Sequence, residues 1–231
     1  MLTISTFNIQ NNFNNYNIEK TKEIIEYLKA NKIDILNLQE VFTTCEKDLK
    51  NELNKFKFSI YGTYRYRLKL LTKVNEKTPI ITNKKVLETE TFYLPHFPAF
   101  LKRVITKVVV TDEKLNKITI FNTHLDFQYD KVKRKQLQKI INIIKKENNP
   151  IILTGDFNLK NNNQIFKDFV NDLAKLGIIH LNIKGKTLKQ SKYNRAIDHI
   201  FYSKEFKLVD AKIITTLSTS DHYPVLARFK Y

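Results

Sequence analysis

The chain has 231 residues, 42% hydrophobic and 27% charged, a composition typical of a globular protein rather than a disordered or fibrous one. No stretch contains the ~18 consecutive apolar residues of a membrane span, and Cys45 is the only cysteine, which excludes an internal disulfide and a thiolate metal cluster. The formal net charge of +17 favours an anionic partner such as nucleic acid. Because the excess is nearly all lysine in a chain also rich in asparagine and isoleucine, A/T-rich coding accounts for part of it.

The first half of the chain predicts alternating strands and helices. Residues 2–9 are predicted to form a strand. Residues 1–9 lack the basic start and long apolar stretch of a signal peptide, so we expect a cytoplasmic protein. Four apolar residues recur near one face of a helix: Ile18, Ile24, Ile25 and Leu28. The other elements predicted here are a helix over 46–55 and strands over 33–38, 56–61, 78–83 and 85–94.

The stretch Tyr64-Arg-Tyr-Arg-Leu-Lys69 mixes aromatic and basic side chains. Such a mixture can hold a phosphate backbone and stack on bases. It is also the pattern of an ordinary alternating edge strand. The sequence leaves both interpretations open.

The second half of the chain continues the alternation. Residues 103–110 and 117–122 are β-branched runs joined by a turn at 112–116, which predicts a hairpin. The remaining predicted elements are a helix with Leu137, Ile140, Ile141 and Ile144 on one face, a helix with Ile165, Phe169 and Leu173 that ends at Gly177, a polar loop over 182–194, and strands over 151–153, 196–201, 208–215 and 225–229. Because no repeat, linker or composition shift divides the chain, residues 1–231 are predicted to form a single domain.

Polar residues recur at or beside the ends of the predicted strands. In the stretch Ile151-Ile-Leu-Thr-Gly-Asp-Phe-Asn158, Asp156 and Asn158 would point the same way on an extended chain, which suits holding a water and an anionic oxygen. The same stretch alone also suits a simple Gly-Asp turn. Eight groups of this kind occur in the chain: Asn8, Glu40, His124, Asp156, Asn158, Asp198, Asp221 and His222. Together they favour convergence on a divalent cation and a phosphate.

These segments resemble the motifs of the endonuclease/exonuclease/phosphatase superfamily, the group of DNase I. The matching segments are Thr6-Phe-Asn8, Leu38-Gln-Glu-Val41, Asn122-Thr-His-Leu-Asp126, Gly155-Asp-Phe-Asn158, Ile197-Asp-His-Ile-Phe201 and Ser220-Asp-His-Tyr-Pro-Val225, in the order of the family. The resemblance implies an α/β (α+β) fold, a four-layer α/β/β/α sandwich of two mostly antiparallel sheets flanked by helices. It also implies hydrolysis of phosphoesters with Mg²⁺ or Mn²⁺ as the cofactor.

The same resemblance implies roles for the acids and amides. Glu40 would bind the metal ion through carboxylate oxygen, with Asn8 beside it and Asp221 contributing. Asp156 would orient and deprotonate the attacking water, and Asn158 would donate to the developing oxyanion.

It also implies roles for the histidines. His222 would contact the phosphate or act as general base, with Asp198 fixing its tautomer. His124 would hydrogen-bond the phosphate or protonate the leaving group, and Arg103 matches a family arginine that holds phosphate. Glu76 is the candidate carboxylate partner that would hold His124 in one tautomer, the alternative being a solvated glutamate. No catalytic role is predicted for His96, His180, His199 or Cys45.

Three functions fit this family. Histidine at position 124, where exonuclease III-type enzymes usually carry tyrosine, places the chain nearer the DNase I, sphingomyelinase and phosphoinositide branches. The chain has no Trp and therefore lacks the Trp-Cys-Asp-Arg signature of the inositol 5-phosphatases. A nuclease acting on DNA or RNA is favoured by the basic charge and by residues 64–69. The alternatives are a phosphoesterase for lipid head groups (sphingomyelinase-like) or small organic phosphates, and a catalytically inactive binding module.

Overall fold

The computed structural model describes residues 1–10, 18–63, 76–99, 102–112, 116–190 and 196–231. Within these ranges the chain forms fourteen strands and four helices. The helices are α1 (Ile18–Ala30), α2 (Thr43–Asn54), α3 (Asp130–Ile144) and α4 (Gln164–Ala174). The basic and aromatic stretch over 64–69 and the end of the predicted loop over 182–194 lie outside the described residues.

Two six-stranded sheets contain most of the strands. The first has the order β13 (Lys207–Ile213), β14 (Val225–Lys230), β1 (Leu2–Asn8), β2 (Ile35–Gln39), β6 (Ile80–Thr82) and β4 (Ser59–Tyr61). The second has the order β11 (Ile178–His180), β12 (Asp198–Ser203), β10 (Ile151–Asp156), β9 (Lys117–His124), β8 (Val104–Thr111) and β7 (Val86–Tyr93). The short strands β3 (Val41–Phe42) and β5 (Glu76–Lys77) pair separately. Neighbouring strands are antiparallel except β1 with β2 and β9 with β10, which are parallel.

Three hydrophobic clusters separate four layers. One cluster joins α1 and α2 to the outer face of the first sheet and contains Ile24 and Leu36. The second lies between the two sheets and contains Ile4 and Ile120. The third joins the outer face of the second sheet to α3 and α4 and contains Ile140. This helix–sheet–sheet–helix order confirms the predicted fold class.

The interface between the sheets changes from apolar to polar along the strands. On β1, Ile4 lies in the inter-sheet cluster, and Asn8 lies four residues further along the same face. On β10, Ile152 of the same cluster is followed in the same way by Asp156. The apolar end therefore holds the sheets together, and the polar end presents side chains that can carry chemistry.

Buried hydrogen bonds replace apolar contacts at the polar end of the interface. Gln39 Nε2 donates to Asn122 Oδ1 at 2.7 Å, and Asn37 Nδ2 donates to Thr154 Oγ1 at 2.8 Å. Each bond joins one sheet to the other. Because a buried amide without a partner is costly, these pairs fix the relative position of the sheets next to the polar edge.

Gly155 permits a close approach between β10 and β9. It is the register partner of Thr123, and a Cβ at position 155 would lie 2.1 Å from the Thr123 carbonyl oxygen. No side chain can occupy that space without a shift of the backbone. The glycine therefore allows the next residue, Asp156, to lie beside His124 on the neighbouring strand.

We expect Gly155→Ala to lower the free energy of unfolding by about 3 kcal/mol or more, because one of the two strands must move. Gly177→Ala is the matched control, since position 177 also has a positive φ of +76° but its Cβ would meet only the Lys204 side chain, at 3.6 Å. Its cost should be nearer ~1 kcal/mol. Urea unfolding followed by circular dichroism measures both, and equal losses would contradict the role assigned to Gly155.

The structure differs from the sequence predictions mainly at short elements. Strands β3, β5 and β11 were not predicted, because two or three residues carry too little periodicity to be recognised. Strand β10 continues to Asp156 rather than ending at residue 153. In the described part of the chain, no helix is both long enough and apolar enough to span a membrane. That residues 1–231 form one domain stays a prediction.

Candidate active site

Polar residues from both sheets meet at one edge of the sandwich. In the first sheet, the parallel strands β1 and β2 end at Asn8 and Gln39, which are register partners. In the second sheet, Asp156 is the register partner of His124 on one side and of Asp198 on the other. Asn8 joins the two sheets here, because its Nδ2 donates to Asp156 Oδ2 at 3.0 Å.

Asp156 lies at the centre of this edge and is buried. Its Oδ2 accepts from Asn8, and its Oδ1 accepts from the backbone N–H of Asn158 at 2.9 Å. The Nε2 atoms of His124 and His222 lie 3.5 Å and 3.8 Å from Oδ2. Burial would raise the pKa of Asp156, but the two histidines and the hydrogen bonds outweigh burial and hold the pKa below its ordinary value. Asp156 is therefore ionised at neutral pH.

His222 and Asp198 form a buried charged pair beside Asp156. His222 Nδ1 lies 2.8 Å from Asp198 Oδ2, so Nδ1 donates to the carboxylate. Burial lowers the pKa of His222, but Asp198, Asp156 and Asp221 outweigh that effect and raise the pKa to about 10. Burial raises the pKa of Asp198, and the charge and hydrogen bond of His222 oppose that shift. At neutral pH, His222 therefore carries a positive charge.

His124 receives its hydrogen bond from Arg103. The distance from Arg103 Nη1 to His124 Nδ1 is 2.9 Å. Because a guanidinium only donates, Nδ1 accepts and the ring proton lies on Nε2. Glu76 Oε1 lies 3.8 Å from the same Nδ1 and 3.7 Å from Arg103 Nη1, too far for a direct hydrogen bond. Arg103 thus makes the direct hydrogen bond to Nδ1. Glu76 is buried rather than solvated and lies within ~6 Å of the His124 ring, so its partnership with His124 through one water stays a prediction.

Asn158 does not lie on the extended strand assumed for it. Strand β10 ends at Asp156, and Asn158 has a φ of +51°, a conformation that asparagine tolerates better than most residues. Its backbone N–H closes a turn onto Asp156, and its Nδ2 donates to the Leu125 carbonyl at 3.1 Å. The expectation that Asp156 and Asn158 point the same way on an extended chain is therefore wrong.

Glu40 and Asp221 are the two carboxylates predicted to bind a metal ion. Glu40 is half-buried directly after β2, and its Oε1 accepts from Asn8 Nδ2 at 3.2 Å. Asp221 Oδ1 is buried and has no hydrogen-bond partner among the described residues. Hard cations such as Mg²⁺ prefer carboxylate oxygens, and a bound cation would satisfy this buried oxygen. The donor set therefore suits a divalent ion held by Glu40 and Asp221 with Asn8 beside them.

A second group of potential ligands consists of Asp156, Asp198 and His222, whose ligand atoms lie within 4.8 Å of one another. Here the hydrogen bond between His222 and Asp198 already uses one atom of each. The positive charge of the His222 ring would also repel a cation. This trio therefore suits the handling of protons and phosphate better than the binding of a metal ion.

Helix α1 supports the site with Lys20, a residue that the sequence did not single out. Lys20 is buried, and its Nζ donates to the carbonyls of Ile9 at 2.7 Å and Gln10 at 3.0 Å. Burial lowers the pKa of Lys20, while nearby acids that include Glu40 and Asp221 oppose the shift. Lys20 thus fixes the turn directly after Asn8 and lies close to both candidate metal ligands.

Glu23, one turn along α1, holds the other side of the site. Its carboxylate accepts from the backbone N–H and the hydroxyl of both Ser218 and Thr219. Ser220 Oγ then donates to the Asn8 carbonyl at 2.7 Å, and the Asp221 N–H donates to Gln10 Oε1 at 3.2 Å. The loop that carries Asp221 is therefore tied both to α1 and to the end of β1.

The family model described as "Endonuclease/Exonuclease/phosphatase family" matches residues 5–222, a range that contains every candidate residue above. The chain belongs to this family. Proteins of the endonuclease/exonuclease/phosphatase family are hydrolases that act on phosphoesters. No curated protein sequence matches the chain significantly.

Solved structures similar to this endonuclease/exonuclease/phosphatase protein share its fold at low sequence identity. A family protein from Bacteroides thetaiotaomicron is 22% identical with a TM-score of 0.84, covering 98% of this chain and 96% of the other. A mannosyl-6-phosphatase from the same organism is 22% identical with a TM-score of 0.79, covering 100% of both chains. The human Nocturnin catalytic domain with bound sulfate is 18% identical with a TM-score of 0.80, covering 99% and 93%.

No catalytic role is assigned to the other three histidines or to the cysteine of this endonuclease/exonuclease/phosphatase protein. His199 Nε2 donates to the Leu159 carbonyl at 2.9 Å, and its Nδ1 lies 3.2 Å from His180 Nε2. Burial lowers the pKa of His199 to about 3 and that of His180 to about 4, so both rings stay neutral. Burial also raises the pKa of the Cys45 thiol to about 12, which makes it a poor nucleophile. His96 lies in the loop after β7.

Proposed function

We propose that this protein is a divalent-metal-dependent phosphodiesterase that hydrolyses nucleic acid. The observation that carries the proposal is the buried Asp156 carboxylate, whose Oδ2 accepts a hydrogen bond from Asn8 and lies 3.5 Å and 3.8 Å from the Nε2 atoms of His124 and His222. A carboxylate in this position can accept a proton from a water that attacks phosphorus. The two imidazole N–H groups beside it can donate to the phosphate oxygens as negative charge develops on them.

Glu40, Asp221 and Asn8 would hold Mg²⁺ or Mn²⁺. A bound ion would neutralise the negative charge that develops on the phosphate. Asn8 also donates to Asp156, so it couples the metal ligands to the base. An amide suits the end of β1 because its NH₂ group can donate to two carboxylates at once.

The other side chains act on the water and the phosphate. Asp156 accepts the proton of the attacking water, since its lowered pKa keeps it ionised. The charged His222 donates from Nε2 to a phosphate oxygen, and Asp198 stabilises that charge. His124 donates to the phosphate from Nε2 in the tautomer selected by Arg103, which therefore acts through the imidazole. Asn158 holds the loop after His124 through the Leu125 carbonyl.

Nucleic acid is the proposed substrate because the net charge is +17 and a polyanion gains most from such a field. The second candidate is a small phosphate ester. It is supported by the similarity to a mannosyl-6-phosphatase that extends over 100% of both chains. The two candidates differ in their response to salt, which provides a test.

Metal dependence tests the reaction class. We expect EDTA to abolish hydrolysis and Glu40→Gln to lower kcat/KM by roughly several hundredfold, the scale of losing one preorganised electrostatic contact. Glu26→Gln, at an exposed position of α1, is the matched control and should change little. The measurement is kcat/KM of both variants as a function of Mg²⁺ and Mn²⁺ concentration. Full activity in EDTA would overturn the proposal.

Ionic strength tests the substrate class. If about four phosphates are contacted, the affinity for duplex DNA should fall with log[salt] at a slope of about −3.6. The panel for hydrolysis should contain single- and double-stranded DNA, RNA, mannose 6-phosphate, sphingomyelin and a bis-aryl phosphodiester. An affinity for DNA that does not change with salt, together with preferred hydrolysis of mannose 6-phosphate or sphingomyelin, would favour the small-substrate or lipid alternative.

A further inference from the structure

Exposed aromatic side chains gather at one corner of the protein. In the described residues, six Phe and Tyr side chains are exposed, and four of them lie in two segments, the end of β7 with the loop after it (93–99) and the loop after β9 (125–129). These four are Tyr93 at 53% exposure, Phe97 at 83%, Phe127 at 54% and Tyr129 at 40%, and we call them the aromatic corner. Such a concentration of exposed apolar surface marks a site of interaction.

The aromatic corner adjoins the candidate active site through three neighbouring strands. Tyr93, at the end of β7, is the register partner of Val104 at the start of β8, directly after Arg103. Strand β8 in turn pairs with β9, which ends at His124. Since adjacent strands lie ~4.8 Å apart, the end of β7 is roughly 10 Å from the end of β9. Phe127 follows His124 by only three residues.

Hydrogen bonds hold the two loops beside each other. Gln136 of α3 is buried; its Oε1 accepts from the Asp126 N–H and its Nε2 donates to the Pro95 carbonyl, both at 2.9 Å. Asp126 Oδ1 also accepts from the N–H groups of Gln128 at 3.0 Å and Tyr129 at 2.7 Å. The aromatic rings are therefore presented by a fixed backbone.

We propose that the aromatic corner is a stacking subsite for the unpaired bases of single-stranded nucleic acid next to the phosphate being cleaved. The inference rests on the proposed function and makes the substrate more specific. Unpaired bases offer flat faces to aromatic rings, whereas the bases of a duplex are already stacked on each other. A single phosphate ester at Asp156 is too small to reach rings that begin roughly two strands away.

The composition of the corner favours bases over a lipid bilayer. The exposed large apolar residues of the described segments 93–99 and 125–129 are all aromatic, because Leu94 and Leu125 are buried. Aliphatic side chains normally accompany aromatic ones where a protein inserts into a membrane surface. The exposed Lys131, at the start of α3, adds a positive charge that suits a phosphate backbone.

The test compares a base-bearing oligonucleotide with one that has abasic residues on both sides of the scissile phosphate. The double variant Phe97→Ser with Phe127→Ser should raise KM for the base-bearing oligonucleotide by about 10- to 100-fold, the effect of losing a stacked base. For the abasic oligonucleotide, the KM of the double variant should equal that of the unchanged protein. Phe56→Ser, at an exposed position beyond the end of α2, is the control and should behave like the unchanged protein with both.

Three results would overturn the stacking subsite. One is an equal KM of the double variant and the unchanged protein for the base-bearing oligonucleotide. The second is a loss of binding to phosphatidylcholine/phosphatidylglycerol vesicles in the variant with no change toward oligonucleotides, which would assign the corner to a membrane. If the unchanged protein hydrolyses no oligonucleotide, the proposed function fails separately. In that case fluorescence anisotropy measures the affinity of the unchanged protein for the base-bearing and the abasic oligonucleotide. Equal affinity for the two would be the third result against the stacking subsite.

Discussion

Asp156→Asn should lower kcat/KM by about a thousandfold or more, the combined scale of losing a positioned base and its charge. The variant keeps the shape of the side chain but removes the ionised oxygen that lies between the Nε2 atoms of His124 and His222. The loss should appear mainly in kcat, because the proton of the attacking water is transferred only as the reaction proceeds. Steady-state kinetics on the preferred oligonucleotide would measure it.

The control for this experiment is Asp168→Asn, which makes the same chemical change at an exposed position of α4. It should leave kcat and KM unchanged. Circular dichroism of Asp156→Asn should match that of the unchanged protein, which separates lost chemistry from lost folding. A variant that folds normally and keeps more than about a tenth of the activity would remove Asp156 from the role of base.

Asp198→Asn is the second large effect, and we expect it to lower activity by about a hundredfold or more at neutral pH. Without the Asp198 carboxylate, burial is opposed only by Asp156 and Asp221, so the pKa of His222 falls below about 10 and the ring loses its charge at a lower pH than in the unchanged protein. The residual activity of the variant should therefore increase toward acid. The unchanged protein should keep a charged His222 until pH approaches about 10.

The same pair makes a prediction about stability with a definite sign. The pKa of His222 is raised from 6.5 to about 10 in the folded protein, so its stabilising contribution is fully present below 6.5 and is lost as pH rises through 10. The difference in unfolding free energy between the unchanged protein and Asp198→Asn should shrink across this window. Asp210→Asn, an exposed partner of Arg228, is the control and should show no such trend. A difference that grows with pH would contradict the assignment of charge to His222.

Polar residues at the ends of predicted strands were the sequence signal that best predicted which side chains meet at the polar edge. Asp156 and Asp198 could be placed at strand ends from sequence because each lies beside an apolar run, and such runs reveal buried strands. The pairing of His222 with Asp198 was implied by the family resemblance. The four-layer order was implied by the family resemblance and is present in the structure. Local pattern and family motifs therefore located the polar edge of the sandwich.

Side chains whose partners lie far away in sequence could not be found in this way. Lys20 looks like an ordinary surface lysine on a helix, and only the folded chain shows that it is buried against the Ile9 and Gln10 carbonyls. Glu23 has no local signal either, since its partners lie 195 residues away. Backbone carbonyls and N–H groups are present at every position, so the sequence does not mark which of them a charged side chain will meet.

The ties between α1, β1 and the loop before β14 determine when the candidate active site can form as the chain folds. Strand β1 pairs with β14, joining Leu2 to Phe229, and the Ser220–Asn8 hydrogen bond spans 212 residues. Contacts of such sequence separation form late, after the loss of entropy in closing a very long loop. The helices and the β8–β9 hairpin can form from local contacts, but the loop that carries Asp221 reaches Asn8 and Gln10 only when the two ends of the described chain dock. A chain that lacks residues 218–230 would carry most of the candidate catalytic groups without a complete site.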